Sequence, residues 1–331
     1  MVREVPNYID ISFTLLKRFE GKLPFDIYVK RSELNYTKIF NVEESIDWDR
    51  VDQYKKKDIK FFYVTKEQYQ TYVKIADQLA KAYFGSKKTQ NPAETAGFLK
   101  EMVNLSAVDI LIRTNLQPET LEHAATMVMG CIDTLQKNPR ALIKVVSLLS
   151  SHEFMVKHSL AVSVFSLILA KAVDVDSKHN LQNIGMGAFL HDIGTGLLPF
   201  DPENKEDMSA DDRKESKTHT ELGKRLLDEV PSLSSEIKMI VLQHHEQPNG
   251  AGYPNGLRVH DIYWPAKIVS IADTFASLTS RRSYREAYTP TQAIQMMEED
   301  QGRFDKNMLA TFAKMFTVPT EASSVKPTNS Q

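Results

Sequence analysis

The distribution of histidines restricts what this chain can fold into more than any other feature of its sequence. Five of the nine histidines fall within one 88-residue segment, each in or at the end of a stretch with helical periodicity: His158, His191, His219, His244 and His245. Leu222 and Leu226 follow His219 at spacings of three and seven residues, which places its imidazole on the apolar face of a helix. The fold must therefore supply partners for several inward-facing imidazoles, because buried nitrogens without hydrogen bonds are costly.

A shared metal centre would satisfy these imidazoles together. Imidazole is a ligand for iron, manganese, zinc and nickel, carboxylates can bridge such ions, and Asp192 and Asp273 complete a set of nitrogen and oxygen donors. Two ions about 3.5–4 Å apart, bridged by Asp192 and hydroxide, would form a clamp for in-line attack on phosphorus. Any one of these histidines alone is more often a hydrogen-bonded core residue, so the hypothesis depends on all seven donors converging.

The order of predicted elements divides the chain into two parts. Residues 25–64 alternate in polarity and are rich in β-branched and aromatic types, which predicts short strands, and Thr65 with Gln68 predicts a helix over about 66–84. A polar linker, GSKKTQNP, precedes a long series of segments with helical periodicity. We therefore predict a mainly α protein, with a small N-terminal α+β accessory or sensory domain at 1–90, a helical domain at 91–317 and a mobile tail at 318–331.

Composition excludes several functional classes. The formal net charge is −2, so the chain has no global positive field for duplex nucleic acid or an anionic membrane, and we expect neither partner. No stretch reaches the roughly 18 uninterrupted apolar residues of a membrane helix, and the first residues do not resemble a signal peptide. The single cysteine, Cys131, suits a reducing compartment, so we predict a cytoplasmic protein.

Five segments match the motifs of a known family in order and in spacing. They are HSLAVS from 158, AFLHDIG from 188, THTELGKRLL from 218, HHEQPNGAGYPNGL from 244 and KIVSIADTFASLTSRRSYREA from 267. A lone HD dipeptide would be weak, but the HHE and GYP element followed by the later segments is specific. On these motifs the chain resembles the HD-GYP branch of the HD phosphohydrolase superfamily, over about half of its length, as a divergent member.

The resemblance implies a helical, metal-dependent phosphodiesterase that acts on cyclic di-GMP, a bacterial second messenger, and opens it to pGpG and onward to GMP. Matched motif to motif, the metal ligands fall on His158, His191, Asp192, His219, His244, His245 and Asp273. Among them His191 and Asp192 are the catalytic pair, and Asp192 bridges the ions. Some family members bind a third metal through a glutamate at the position of Phe154, so we expect a binuclear centre here, with iron first and manganese second.

The GYP loop of this family borders the substrate and is linked to partnership with diguanylate cyclase (GGDEF) domains. Here the loop is Gly252, Tyr253 and Pro254. Its glycines permit a tight turn whose backbone can approach a ligand, and Tyr253 could stack on a guanine or hydrogen-bond a phosphate. Without the preceding histidine pair, the same residues would equally indicate a glycine-rich surface turn.

Three positions depart from the family motifs. Thr195 replaces the lysine of HDIGK, and loss of such a charge near a developing oxyanion can cost roughly 10²–10³ in rate. Asn249 and Ala276 replace aspartates, and the loss of such supporting groups typically costs roughly 10–100-fold in metal affinity or activity. Arg282 and Arg285 are candidates for the missing charge, although each could also be a solvated arginine at a helix end.

Three functions remain open from the sequence. The first is a cyclic di-GMP phosphodiesterase, in which Thr195, the GYP loop, Arg282 and Arg285 bind the substrate. The second is a weak or inactive protein that serves as a cyclic di-GMP sensor or as an adaptor for diguanylate cyclases. The third is an HD hydrolase of another phosphate ester.

Overall fold

The computed structural model describes residues 7–11, 16–17, 19, 21–32, 35–57, 59, 61–86, 91–137, 154–202, 207–282 and 285–316. Within these residues the fold is mainly α-helical and contains one four-stranded sheet, so the predicted fold class is confirmed. The predicted tail at 318–331 lies outside the described residues. The division into domains at residues 90 and 91 stays a prediction.

The N-terminal part is an antiparallel sheet covered on one face. Its strands are β1 (Tyr8–Ile11), β2 (Ile27–Ser32), β3 (Asn35–Phe40) and β4 (Phe62–Thr65), arranged in the order β1-β4-β2-β3. Two helices belong to this part, α1 (Trp48–Lys56) and α2 (Lys66–Gly85). Alternate side chains of the strands are buried, as the period of two requires, for example Phe62 and Val64. The sequence predicted β2, β3 and β4 but not β1, which is only four residues long.

The predicted start of α2 is confirmed. The Thr65 hydroxyl accepts the backbone N–H of Gln68 at 3.4 Å, which satisfies one of the unpaired donors of the first turn. The Gln68 side chain does not form the reciprocal half of the predicted capping box; its Oε1 instead accepts the backbone N–H of Asp26 at 3.1 Å. Gln68 therefore ties the start of α2 to the residue that precedes β2.

The rest of the described chain is helical. In order the elements are α3 (Pro92–Ala107), a π-helical turn (Val108–Ile112), α4 (Pro118–Lys137), α5 (Phe154–Ala172), α6 (Lys178–Leu190), a 3₁₀ turn (Ile193–Leu197), α7 (Ala210–Ser216), α8 (His219–Asp228), α9 (Ser235–Gln243), α10 (Trp264–Leu278), α11 (Pro290–Glu299) and α12 (Lys306–Lys314). Ile237, Ile240 and Val241 precede His244 at helical spacings and predict a helix over 234–246, but this boundary was wrong, because the helix ends at Gln243. His244 and His245 therefore follow α9 rather than belonging to it.

Helix α5 lies at the centre of the helical part, packed between α6 and α10. Among the described helices it alone is long and apolar enough to cross a membrane, over Met155–Ala172, and 72% of that stretch is buried inside the fold. Its apolar surface is thus used by the protein core. Helix α2 packs against α4, so one continuous cluster of buried side chains runs from the sheet into the helical part.

Candidate metal centre

Five helical elements bring the predicted donors together. His158 lies on α5 and Asp273 on α10, while His219 is the first residue of α8. The remaining donors follow helix ends, His191 and Asp192 after α6 and His244 and His245 after α9. Their ligand atoms form two groups, each with all atoms within 4.8 Å of one another: Asp192, His219, His244 and His245 in one, and His158, His191 and Asp273 in the other. The structure therefore unites all seven predicted donors.

The Asp192 carboxylate faces both groups. Its Oδ1 lies 3.2 Å from Nε2 of His219 and 3.6 Å from Nε2 of His244. Its Oδ2 lies 3.1 Å from Nε2 of His191 and 3.9 Å from Nε2 of His158. One oxygen is thus directed toward each group, which is the disposition that a bridging carboxylate needs.

The Asp273 carboxylate serves one group only. Its Oδ1 lies 3.0 Å from Nε2 of His158 and 3.9 Å from Nε2 of His191. Position 273 lies in the second half of α10, whose apolar residues are packed in the core. A carboxylate at this depth requires an opposite charge or several donors, because burying it unpaired is costly.

Helix ends set the orientation of three of the imidazoles. The Nδ1–H groups of His191, His219 and His244 donate to the carbonyls three residues earlier, at 2.8, 2.7 and 2.8 Å. Those carbonyls lie in the last turns of α6, α7 and α9, where no intrahelical donor is left for them. Because a carbonyl can only accept, Nδ1 must carry a proton, and Nε2 of each ring is directed at Asp192.

This donor set fits divalent metal ions. Nε2 of His191 is buried and has no hydrogen-bond partner among the described residues, although it faces Asp192 Oδ2. A nitrogen lone pair and a carboxylate oxygen 3.1 Å apart repel each other unless a proton or a cation lies between them. Imidazole and carboxylate are the usual ligands of divalent iron, manganese and zinc. The site can therefore bind a divalent metal.

When no cation is bound, the same geometry sets the pKa values of the histidines and of Asp192. Burial acts to lower the pKa of His191, but the neighbouring Asp192 carboxylate outweighs it and raises that pKa to about 9. The pKa of His219 is raised for the same reason, while burial lowers the pKa values of His244 and His245. Burial acts to raise the pKa of Asp192, yet the charge of His191 and the histidine hydrogen bonds hold it well below its usual range. Metal binding would therefore release protons.

The donors open onto a cavity of about 380 Å³. Most of the predicted site residues line it: His158, Asp192, Thr195, His219, His245, Tyr253, Asp273 and Arg282. His191 and His244 lie behind this wall and are fully buried. A volume of this size lies within the range of about 300–1,000 Å³ that is typical of small-molecule sites.

The GYP loop closes one side of the cavity through Tyr253. Its ring lies 4.7 Å from the His245 ring, tilted by 30°, and the ammonium of Lys217 lies 5.3 Å from its centre. Gly252 has no room for a side chain, because a Cβ there would lie 2.3 Å from the backbone nitrogen of Gln247. Among the described residues of the loop, only Tyr253 lines the cavity, whereas Gly252 and Pro254 place it there.

A glutamate that the sequence analysis missed holds this loop. Glu246 is 2% exposed, and its two carboxylate oxygens accept the backbone N–H groups of Asn255 at 2.7 Å and Leu257 at 2.8 Å. The available signal was its position directly after the histidine pair, where an acidic residue follows an apolar helix face. Glu246 therefore connects the donor group that contains the adjacent His245 to the GYP loop.

The HDIGT segment is held close to α8 by its glycine. A Cβ at Gly194 would lie 2.0 Å from the carbonyl oxygen of His219 and 2.5 Å from the backbone nitrogen of Gly223. Only a glycine permits this approach, which brings Asp192 to His219. The next residue, Thr195, lines the cavity and places a neutral side chain where the family has a lysine.

Arg282 and Arg285, the two candidates for the missing charge, have different surroundings. Arg282 lines the cavity and its guanidinium donates to Ser277 Oγ at 2.7 Å. Arg285 is not among the described residues that line the cavity. Its guanidinium instead donates to the carbonyls of Ser277 and Leu278, each at 3.0 Å, and lies 4.5 Å from the Tyr288 ring. Arg285 therefore caps the end of α10, which removes it from the candidate substrate site.

The chain is similar to several known proteins. A family model described as HD domain matches residues 144–308. The cyclic di-GMP phosphodiesterase PA4108 of Pseudomonas aeruginosa is 30% identical over 193 residues, which are 58% of this chain and 46% of that protein. The cyclic di-GMP phosphodiesterase response regulator RpfG of Xanthomonas campestris is 34% identical over 129 residues, 38% of this chain and 34% of that protein. These alignments thus span less than half of either relative.

A solved structure has the same fold. Bd1817, an HDG"Y"P protein from Bdellovibrio bacteriovorus, superposes with a TM-score of 0.68 at 20% identity, covering 94% of this chain and 100% of that one. At this identity the likeness concerns the fold alone. The HD domain match and the curated relatives, together with the HD and GYP motifs of this sequence, show that the chain belongs to the HD-GYP branch of the HD domain family.

Proposed function

We propose that this chain is a divalent-metal-dependent phosphodiesterase that hydrolyses cyclic di-GMP to pGpG and onward to GMP. The observation that carries the proposal is the convergence of seven nitrogen and oxygen donors at one cavity, with an Asp192 oxygen directed toward each donor group. The two curated relatives described above are named cyclic di-GMP phosphodiesterases, which supports this substrate class.

In this proposal each donor group holds one ion. His158, His191 and Asp273 would hold the first ion, and His219, His244 and His245 the second. Asp192 would contribute one oxygen to each. Divalent ions bound there lower the pKa of water and stabilise negative charge on phosphoryl oxygens. Iron is our first choice and manganese our second, as in the family that the motifs match.

The chain's own residues then orient the ligands and the substrate. The helix-end carbonyls fix the rings of His191, His219 and His244, so that little reorganisation is needed when the substrate arrives. The Tyr253 ring offers a flat surface at the cavity wall for a guanine. The Thr195 hydroxyl and the Arg282 guanidinium can donate hydrogen bonds to phosphate oxygens.

Two substitutions test the proposal. We expect His191→Ala and Asp192→Ala each to abolish bound metal and cyclic di-GMP turnover together, because both groups of donors depend on Asp192 and His191 completes one of them. The protein is purified anaerobically, its metal content is measured by elemental analysis, and hydrolysis is followed by chromatography on the same sample. His260→Ala, an exposed histidine away from the cavity, is the matched control. Turnover by a metal-free variant would refute the proposal.

A second candidate function is a nucleotide-binding sensor or an adaptor for diguanylate cyclases. The observation that favours it is the neutral Thr195 at the cavity wall, together with Ala276, which is 1% exposed inside α10. Under this alternative the GYP loop would bind the GGDEF domain of a cyclase. Tight binding of cyclic di-GMP by metal-loaded protein, without any hydrolysis, would select this function over the first.

A further inference from the structure

The cavity wall carries two permanently cationic side chains among the described residues, Arg282 and Arg303. Arg282 belongs to the motif segments, whereas Arg303 lies in the connection between α11 and α12 and was not predicted as a site residue. The HDIGT segment contributes Asp192 and Thr195 to the lining, and Thr195 is neutral where the family motif has a lysine. Arg303 therefore adds a positive side chain to a cavity in which Thr195 replaces the lysine of the family motif.

The guanidinium of Arg303 is held in place from several sides. It pairs with Asp300 Oδ2 at 3.1 Å and lies 5.3 Å from the centre of the Phe304 ring. One of its five N–H donors is used in this pair, and the side chain is 37% exposed, so further donors remain accessible. An arginine restrained in this way loses little entropy when it binds an anion.

The turn that carries Arg303 is attached to the loop that carries Tyr253. Gly302 has a φ of +81°, and its carbonyl accepts the backbone N–H of Asn249 at 3.0 Å. The Asn249 side chain lies against this turn, since a Cβ at Gly302 would be 3.2 Å from Asn249 Cβ. Because Asn249 replaces the aspartate of the family motif, this position adds no second carboxylate to the one, Asp300, that already pairs with Arg303.

We propose that Arg303 binds a phosphodiester oxygen of the cyclic dinucleotide and so replaces the positive charge that Thr195 lacks. This inference rests on the proposed binding of cyclic di-GMP, but not on its hydrolysis. Arg303 would bind an anionic phosphate through a charge-assisted hydrogen bond, and it is not one of the seven candidate metal donors. The role is thus separate from metal binding.

The test uses the full chain loaded with manganese and a phosphorothioate analogue of cyclic di-GMP that resists hydrolysis. We expect Arg303→Gln to weaken binding in calorimetry by about ten- to a hundred-fold, the size expected for loss of a charge-assisted hydrogen bond. Metal content and melting temperature should stay unchanged. Arg225→Gln, at an exposed arginine on α8, is the matched control and should bind like the wild type.

A double variant that moves the positive side chain to another position of the site provides a second readout. Adding Thr195→Lys to Arg303→Gln should recover most of the lost affinity, because a cation is again present at the cavity lining. The difference between the wild type and Arg303→Gln should also shrink as ionic strength rises from about 0.05 M to about 0.5 M. A purely structural role for Arg303 would produce neither result.

Each outcome decides between the proposals. If the wild type binds the analogue and Arg303→Gln binds as tightly as Arg225→Gln, the role of Arg303 is wrong while the proposed function stands. If the wild type does not bind it at all, both are wrong. If Arg303→Gln also lowers metal content or melting temperature, Arg303→Lys decides, since tight binding by this charged variant supports the proposal and weak binding overturns it.

Discussion

The buried carboxylate of Glu246 offers the sharpest test of how this site is assembled. It is 2% exposed and accepts two backbone N–H groups from the residues that directly follow the GYP loop, Asn255 and Leu257. Glu246→Gln keeps the shape of the side chain but replaces one acceptor oxygen by an NH₂ group, which faces an N–H donor. The substitution therefore breaks one charge-assisted hydrogen bond, weakens the other and leaves a donor unpaired.

The magnitude follows from these contacts. A hydrogen bond to a charged group contributes about 1.5–3 kcal/mol, and an unpaired buried donor costs about 1–3 kcal/mol. Because the two terms overlap, we expect a loss of about 2–4 kcal/mol in the free energy that holds the loop closed. The loop can open without unfolding the helices, so this loss should appear as local opening.

Native-state hydrogen exchange measures this opening directly. Exchange of the Asn255 and Leu257 amides should become about 30- to 700-fold faster in Glu246→Gln, which is the stated free energy expressed as a ratio. Glu221→Gln, at an exposed glutamate on α8, should leave both amides as protected as in the wild type. Exchange rates in Glu246→Gln within threefold of that control would refute the assignment of Glu246 as the residue that holds the loop.

Two further predictions concern the packing around the site and the interface between α2 and α4. Gly194→Ala should lower both the melting temperature and the amount of bound metal, because its Cβ would lie 2.0 Å from the His219 carbonyl oxygen. Thermal unfolding and elemental analysis measure the two effects. Gly196→Ala is the control, because nothing lies within 4 Å of a Cβ at that position. His123 on α4 is fully buried 3.9 Å from Asp77, and burial lowers its pKa from 6.5 to about 4. Because the unfolded chain binds this proton first, stability should be complete above pH 6.5 and fall by up to about 3 kcal/mol as the pH drops toward 4. Urea unfolding of the wild type and of His123→Gln across this pH range checks the prediction. Equal slopes of the unfolding free energy against pH in the two proteins would contradict it.

The family and most of the helices and strands could be predicted because their signals are local. Thr65 with Gln68 indicated the start of α2, and the apolar stripe before His244 indicated α9, since a cap or a helical face involves residues within a few positions of one another. The histidines on such faces pointed inward for the same reason. The predicted end of α9 was three residues too late, because nothing in the sequence marks Gln243 as the last residue of the helix.

The supports of the site could not be predicted, because they join residues that are distant in the chain or use backbone atoms. The carbonyls that orient His191 and His244 are available only because α6 and α9 end where they do. Arg285 looked like a candidate for the missing charge, yet the end of α10 uses its guanidinium. Arg303, which no motif marks, lies at the cavity instead.

The sequence by itself determined the helical class, the family and the seven donors, since residue types and spacings specify which side chains face inward. Only the tertiary structure decided that Asp192 directs one oxygen toward each group of donors, that Glu246 holds the GYP loop, and which cations reach the cavity. The physical reason is that helical periodicity fixes the face on which a residue lies. The packing of five separate elements fixes which atoms of different faces come within about 3–4 Å of one another, the range in which charges and hydrogen bonds act strongly.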